Sequence, residues 1–253
     1  VFREFYSLIS YNMSSISEKS FGARLLRAKN ILTQIQTFGS YNPPEPTQMP
    51  VAFASFLDDI TEANAIESQL RQQYKSNVDS RQLAFRKGTS SLLKLLPQIR
   101  GALEAKFGKN SQAYAAANEI IKKIKKTKTV TVDAEPGDGN SGSNTPGSIS
   151  QSQQSYGSLL GYFNDLINML SQLAGYNPSN PALKVASLQA FALSLDSLNL
   201  GVLQKYSALH QQRQERLNLY EDLSGRVQKI KAYVKSEYGV QSDQYGVIKG
   251  VEV

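Results

Sequence analysis

Phe38-Gly39-Ser40-Tyr41-Asn42-Pro43 returns 135 residues later as Leu173-Ala174-Gly175-Tyr176-Asn177-Pro178, and this repetition decides how the chain is read. Upstream, Phe21-Gly22 matches Tyr156-Gly157 at the same offset. Downstream, the run Phe107-Gly108-Lys109-Asn110-Ser111-Gln112-Ala113-Tyr114 matches Tyr238-Gly239-Val240-Gln241-Ser242-Asp243-Gln244-Tyr245 at an offset of 131. A length of 253 residues allows one large domain or two ordinary ones. The repeat selects two.

The residues before the quoted stretch carry helical spacing. Phe21, Leu25, Ala28, Ile31, Leu32, Ile35 and Phe38 recur every three or four positions and mark one buried stripe, with Arg24, Arg27, Lys29 and Gln34 on the other side. The spacing predicts a helix over 20–38, ended by Gly39 as a left-handed cap and by the prolines at 43, 44 and 46. Tyr41 and Tyr176 fit as aromatic plugs at the bundle ends, with Asn42 and Asn177 bonding local backbone.

A long second helix starts at Pro50, a residue tolerated in a first turn. Phe53, Phe56, Leu57, Ile60, Ala63, Ile66, Leu70, Tyr74 and Val78 keep its period, and no breaker precedes Gly88. Its counterpart runs through Leu188, Phe191, Leu195, Leu198, Val202, Tyr206 and Leu209. Third helices are expected over 90–107 and 222–238, matched at offset 131, with Pro97 kinking the first. Gly108 and Gly239 end them. Ser111 and Ser242 fit as N-caps of a fourth helix, over 112–126 in copy one and shorter in copy two. Thr129–Val132 and Val251–Val253 suggest short extended closing segments.

Residues 133–155, rich in Gly, Ser, Pro, Asn and Gln, read as a flexible linker. Residues 1–19 read as an extension whose aromatic-aliphatic cluster (Phe2, Phe5, Tyr6, Leu8, Ile9, Tyr11) suits a short docking helix. The expected fold is therefore all-α: two tandem, pseudo-equivalent antiparallel helical bundles of three to four helices each. They would occupy 20–132 and 156–253.

The net charge of +7 is uneven. Residues 1–132 hold 19 basic and 10 acidic side chains, whereas 156–253 hold 9 and 8, so the first copy alone is basic. A charge that served a function common to the fold would appear in both. The chain has no cysteine, which removes disulfides, thiol chemistry and zinc ribbons. No run of 18 apolar residues occurs; Val185–Gln204 comes nearest and reads as a half-buried amphipathic helix. Val1 is not an initiator methionine, which fits a trimmed or longer N-terminus, and cytoplasmic and secreted settings are both compatible.

Catalytic signatures are missing from the pattern. His210, the sole histidine, lies on a polar helical stretch with no counterpart in copy one. Asp58-Asp59 and Glu221-Asp222 are adjacent pairs, which point to different helix faces. No Glu-x-x-His pair, phosphate-binding glycine loop or metal-ligand spacing appears, so neither cofactor nor metal is expected, and the chain reads as a non-enzyme. Two surfaces remain. Lys122, Lys123, Lys125, Lys126 and Lys128 form a basic run able to bind phosphates without sequence preference, or simply a solvated helix end. Arg81-Gln82 and Arg213-Gln214, aligned at offset 132, read as a solvated or inter-helix salt-bridging face, or as a repeated partner surface.

Tyr-Asn-Pro after a first helix, with Phe/Tyr-Gly-x-x-Ser-x-x-Tyr after a third, resembles a group of two-copy helical proteins of Bacteroidetes-type bacteria. The resemblance spans 20–126 and 155–253 and implies the repeated helical fold and no activity. Copy one departs from it by Pro97 and its lysine-rich last helix. The expected function is a structural or interaction protein presenting two similar helical faces to a partner or to itself. The alternative is non-specific polyanion binding through the lysines.

Overall fold

The computed structural model describes residues 20–126 and 151–253, and the backbone alone for 151–155. Every described element is helical. The helices are α1 (Phe21–Thr37), α2 (Pro50–Gln82), α3 (Leu92–Phe107), α4 (Gln112–Lys126), α5 (Gln151–Gln172), α6 (Val185–Tyr238) and α7 (Asp243–Ile248). The N-terminal extension, the segment Thr129–Val132, Lys128 and residues 133–150 of the expected linker lie outside the described residues. Residues 151–155 belong to α5, so the expected linker ends earlier. Val251–Val253 forms no strand.

Local signals act as the sequence implied in several places. Ser20 caps α1, accepting from the Ala23 amide at 3.2 Å. Ser111 and Ser242 accept from the amides of Tyr114 and Tyr245 at 3.2 and 3.1 Å. Gly108 and Gly239, at φ 81° and 92°, end α3 and α6 in the region that glycine enters without strain. The left-handed residue after α1 is Ser40 (φ 63°) rather than Gly39, and its counterpart after α5 is Gly175 (φ 83°). The α3 helix runs through Pro97 without interruption.

A larger departure lies in α6, which is one helix of 54 residues where two were expected. The offset between copies explains it. Phe85 and Tyr220 still correspond at 135, but Leu92 and Leu223 at 131. Copy one therefore spends six residues (86–91) where copy two has Glu221-Asp222. The extra residues make the break. A π-helical turn, Leu83–Lys87, is closed by the Gly88 amide donating to the Leu83 carbonyl at 2.8 Å, and the Ser91 hydroxyl donates to the Arg86 carbonyl at 3.1 Å. Copy two lacks this device, so its helix continues, and Asp222 pairs with Arg226 one turn on at 3.0 Å.

The chain divides into two compact units, and the division does not follow the expected copy boundaries. Unit 1 holds the described residues up to Asn64 together with Glu215–Val253; unit 2 holds Ala65–Gln214. Each core draws on both copies. In unit 1, Ala28, Ile31, Ile35, Phe53, Leu57 and Ile60 of copy one pack with Leu223, Val227, Ile230 and Val234 of copy two. In unit 2, Leu92, Leu96, Ile99 and Leu103 of copy one pack with Phe163, Leu166, Leu170, Leu188 and Leu195 of copy two. These are the same positions with the copies exchanged: Ala28, Ile31 and Ile35 stand to Phe163, Leu166 and Leu170 at offset 135, as Leu92, Leu96, Ile99 and Leu103 stand to Leu223, Val227, Ile230 and Val234 at 131.

Aromatic contacts repeat the exchange. In unit 1 the Phe21 ring lies 4.6 Å from Tyr220, with the Arg216 guanidinium 4.2 Å over Phe21. In unit 2 the Tyr156 ring lies 4.9 Å from Phe85, with the Arg81 guanidinium 4.2 Å over Tyr156. All three pairs correspond at offset 135. Each cluster joins a first helix to a distant segment of the other copy by aromatic and cation–π contact.

Candidate binding site and surfaces

The Tyr-Asn-Pro turns are structural plugs. The hydroxyl of Tyr41 donates to the Gln48 carbonyl at 3.1 Å and that of Tyr176 to the Leu183 carbonyl at 3.0 Å, each reaching seven residues along the sequence. Burial pushes the Tyr176 phenol up to about 12, and it moves Tyr41 further in the same direction, aided by Tyr233 and Tyr238. The plug of unit 1 has extra support: Tyr233 meets Tyr41 edge-on at 5.3 Å and its hydroxyl accepts from the Asn42 amide at 3.1 Å.

His210 is exposed and stacks on Tyr206 at 6.4 Å. Asp58, Asp59, Glu221 and Asp222 are exposed too. Among the described residues no group of three or more His, Asp or Glu side chains is arranged to hold a metal ion.

The Arg-Gln pairs do not form a repeated face. Arg81 is 3 % exposed, Gln82 is half-buried and Gln214 is exposed. The offset of 132 misaligned them, because the counterpart of Arg81 is Arg216, itself 5 % exposed. Arg213 serves instead as an inter-helix salt bridge: its Nε lies 3.1 Å from a carboxylate oxygen of Glu67. Glu67 is fully buried and also meets Arg71 at 2.8 Å. The sequence reading missed it by placing Ile66 on the core stripe, yet Ile66 is 36 % exposed. Position 67 follows Ile60 and Ala63 at helical spacing, and its counterpart is the fully buried Val202.

On α4, Ile121 and Ile124 are buried while Lys122, Lys123, Lys125 and Lys126 are exposed. Lys122 pairs with Glu119 at 2.7 Å, and Lys123 lies 6.0 Å over the Tyr162 ring. The four described lysines of the run are thus turned outward to solvent.

Within unit 2, α5 and α6 border a cleft of about 390 Å³ lined by Arg81, Gly157, Leu160, Gly161, Asn164, Asp196, Asn199, Leu200 and Leu203. Three α6 leucines at and beside it stand out from the surface: Leu193, Leu200 and Leu203 are 70 %, 50 % and 40 % exposed. The same helix holds a stretch long and apolar enough to cross a membrane. Its opposite stripe, Leu188, Leu195, Val202 and Leu209, is fully buried, as in a helix packed on protein. No family model, curated protein or solved structure matches the sequence.

Proposed function

We propose that the protein is a non-enzymatic structural or interaction protein built as two pseudo-equivalent helical units, with residues 133–150 connecting the copies. The observation that carries this reading is the apolar side of α6, where Leu193, Leu200 and Leu203 project beside the cleft while the opposite stripe fills the core. Single exposed leucines are ordinary; three on one helix within eleven residues make a surface suited to another protein, a second copy included. Size-exclusion with light scattering across a concentration series, together with pull-down, tests it. The expected result is association that is lost in a Leu193→Glu, Leu200→Glu variant of unchanged helicity; a strictly monomeric protein with no partner counts against it.

A second reading has its own support in α4. Because Ile121 and Ile124 are buried, Lys122, Lys123, Lys125 and Lys126 all face solvent on one short helix. Such a group binds phosphate-bearing polymers with an affinity that falls steeply with salt. Replacing the four by Gln should abolish retention on a polyanion resin at low salt, and absence of retention in the unaltered protein removes this reading.

A further inference from the structure

Arg81 is anomalous. The residue is only 3 % exposed. Among the described residues it has no carboxylate within ion-pair distance, and its Nε is buried without a hydrogen-bond partner. Its neighbours are aromatic: Tyr156 beneath the guanidinium at 4.2 Å, and Tyr74. Burial pulls its pKa down, against the smaller opposing influence of the two phenols. A desolvated guanidinium with no anion is costly to hold, and cation–π contact offsets part of that cost. Arg81 also lines the cleft, where a ligand carboxylate would supply the missing charge.

The rest of the lining narrows the ligand. Asn199, in the same lining, has a side-chain Oδ1 that is buried without a hydrogen-bond partner. Leu160, Leu200 and Leu203 supply apolar wall. Gly157 and Gly161 keep the α5 side open, since an added Cβ at either would meet nothing within 4 Å. Asp196, exposed in the lining, disfavours a highly charged anion and suits a ligand with an adjoining N–H or ammonium group. The volume falls at the lower end of small-ligand sites.

We propose that this cleft binds a free carboxylate bearing a neighbouring N–H donor and an apolar side group, with Arg81 holding the carboxylate and Asn199 taking the N–H. A free apolar α-amino acid and the C-terminal residue of a peptide share this chemistry.

The test is a titration of the full-length protein, followed by amide chemical shifts of α5 and α6, with leucine, N-acetyl-leucine, leucinamide, alanyl-leucine and inorganic phosphate, each to about 10 mM. The expected result is saturable binding of at least one carboxylate ligand and none of leucinamide or phosphate. Binding of leucine alone assigns the site to the free amino acid, and tighter binding of N-acetyl-leucine or alanyl-leucine assigns it to the C-terminus of a peptide. Arg81→Gln should weaken binding at least tenfold. Because that change touches the core of unit 2, Gly161→Leu is the companion variant: it leaves Arg81 and the core in place, fills the cleft and should abolish binding in a folded protein. No binding by any carboxylate, equal binding of leucinamide, stronger binding of phosphate, or undiminished binding in Gly161→Leu would each overturn the assignment.

Discussion

Replacing Glu67 by Gln removes what is, among the described residues, the one fully buried carboxylate of unit 2 and leaves two arginines facing a neutral amide. The two pairs are unequal. Arg71 has a side chain 42 % exposed and can turn to solvent, so losing the Glu67 charge costs it roughly the 0.3–0.5 kcal/mol of an ordinary helix-surface pair. Arg213 is 11 % exposed and cannot, and stranding a buried guanidinium costs about 3 kcal/mol, less the hydrogen bond that the Gln oxygen still accepts. The expected loss is about 2–3 kcal/mol, or roughly 5–10 °C in melting temperature for a protein of this length. Urea unfolding followed by circular dichroism measures it, in a cycle with Arg213→Gln. A coupling of about 1 kcal/mol or more between the two changes is expected. A loss below about 0.5 kcal/mol in Glu67→Gln would show that the pair does not hold α2 and α6 together within the unit.

Gly88→Ala should destabilise by about 1–3 kcal/mol in the same assay, because its Cβ would lie 2.8 Å from the Leu83 carbonyl oxygen, which is backbone and cannot step aside. Ser40→Gly should stabilise by up to about 1 kcal/mol by relieving the left-handed backbone at φ 63°, and Gly175→Ala should destabilise by a similar amount. Tyr176 gives a pH dependence. Below pH 10 its phenol is protonated in both the folded and the unfolded state, and the fold keeps its full stability. From pH 10 to about 12 the unfolded state loses the proton first, so stability falls as pH rises. Tyr41, Tyr74, Tyr220 and Tyr238 are shifted the same way. Alkaline unfolding monitored by tyrosinate absorbance should therefore begin near pH 10 and be shallower in Tyr176→Phe.

Much of the local structure was legible because its causes are local. The stripe Ala28, Ile31, Ile35 and the terminators Gly108 and Gly239 depend on periodicity and backbone freedom. The pairing of helices was not legible, since the stripe that packs on Leu223 and Val227 would pack equally well on Leu92 and Leu96. The discriminating signal was the change of offset from 135 to 131 between Phe85 and Leu92, which marks where one copy breaks and the other runs straight. Arg81 was misread for a related reason. Its charge suggested solvent, whereas Tyr156, the partner that keeps it buried, lies 75 residues away in sequence and comes close only through the exchange. The cleft likewise depends on tertiary neighbours, whereas the burial of Glu67 follows the spacing of Ile60 and Ala63 along α2.

Each unit is completed by halves of different copies, and nuclear Overhauser contacts among four rings test this most directly. The exchange predicts strong contacts from Phe21 to Tyr220, with centroids 4.6 Å apart, and from Phe85 to Tyr156, at 4.9 Å. Contacts from Phe21 to Phe85 and from Tyr156 to Tyr220 would contradict it and restore one self-contained bundle per copy.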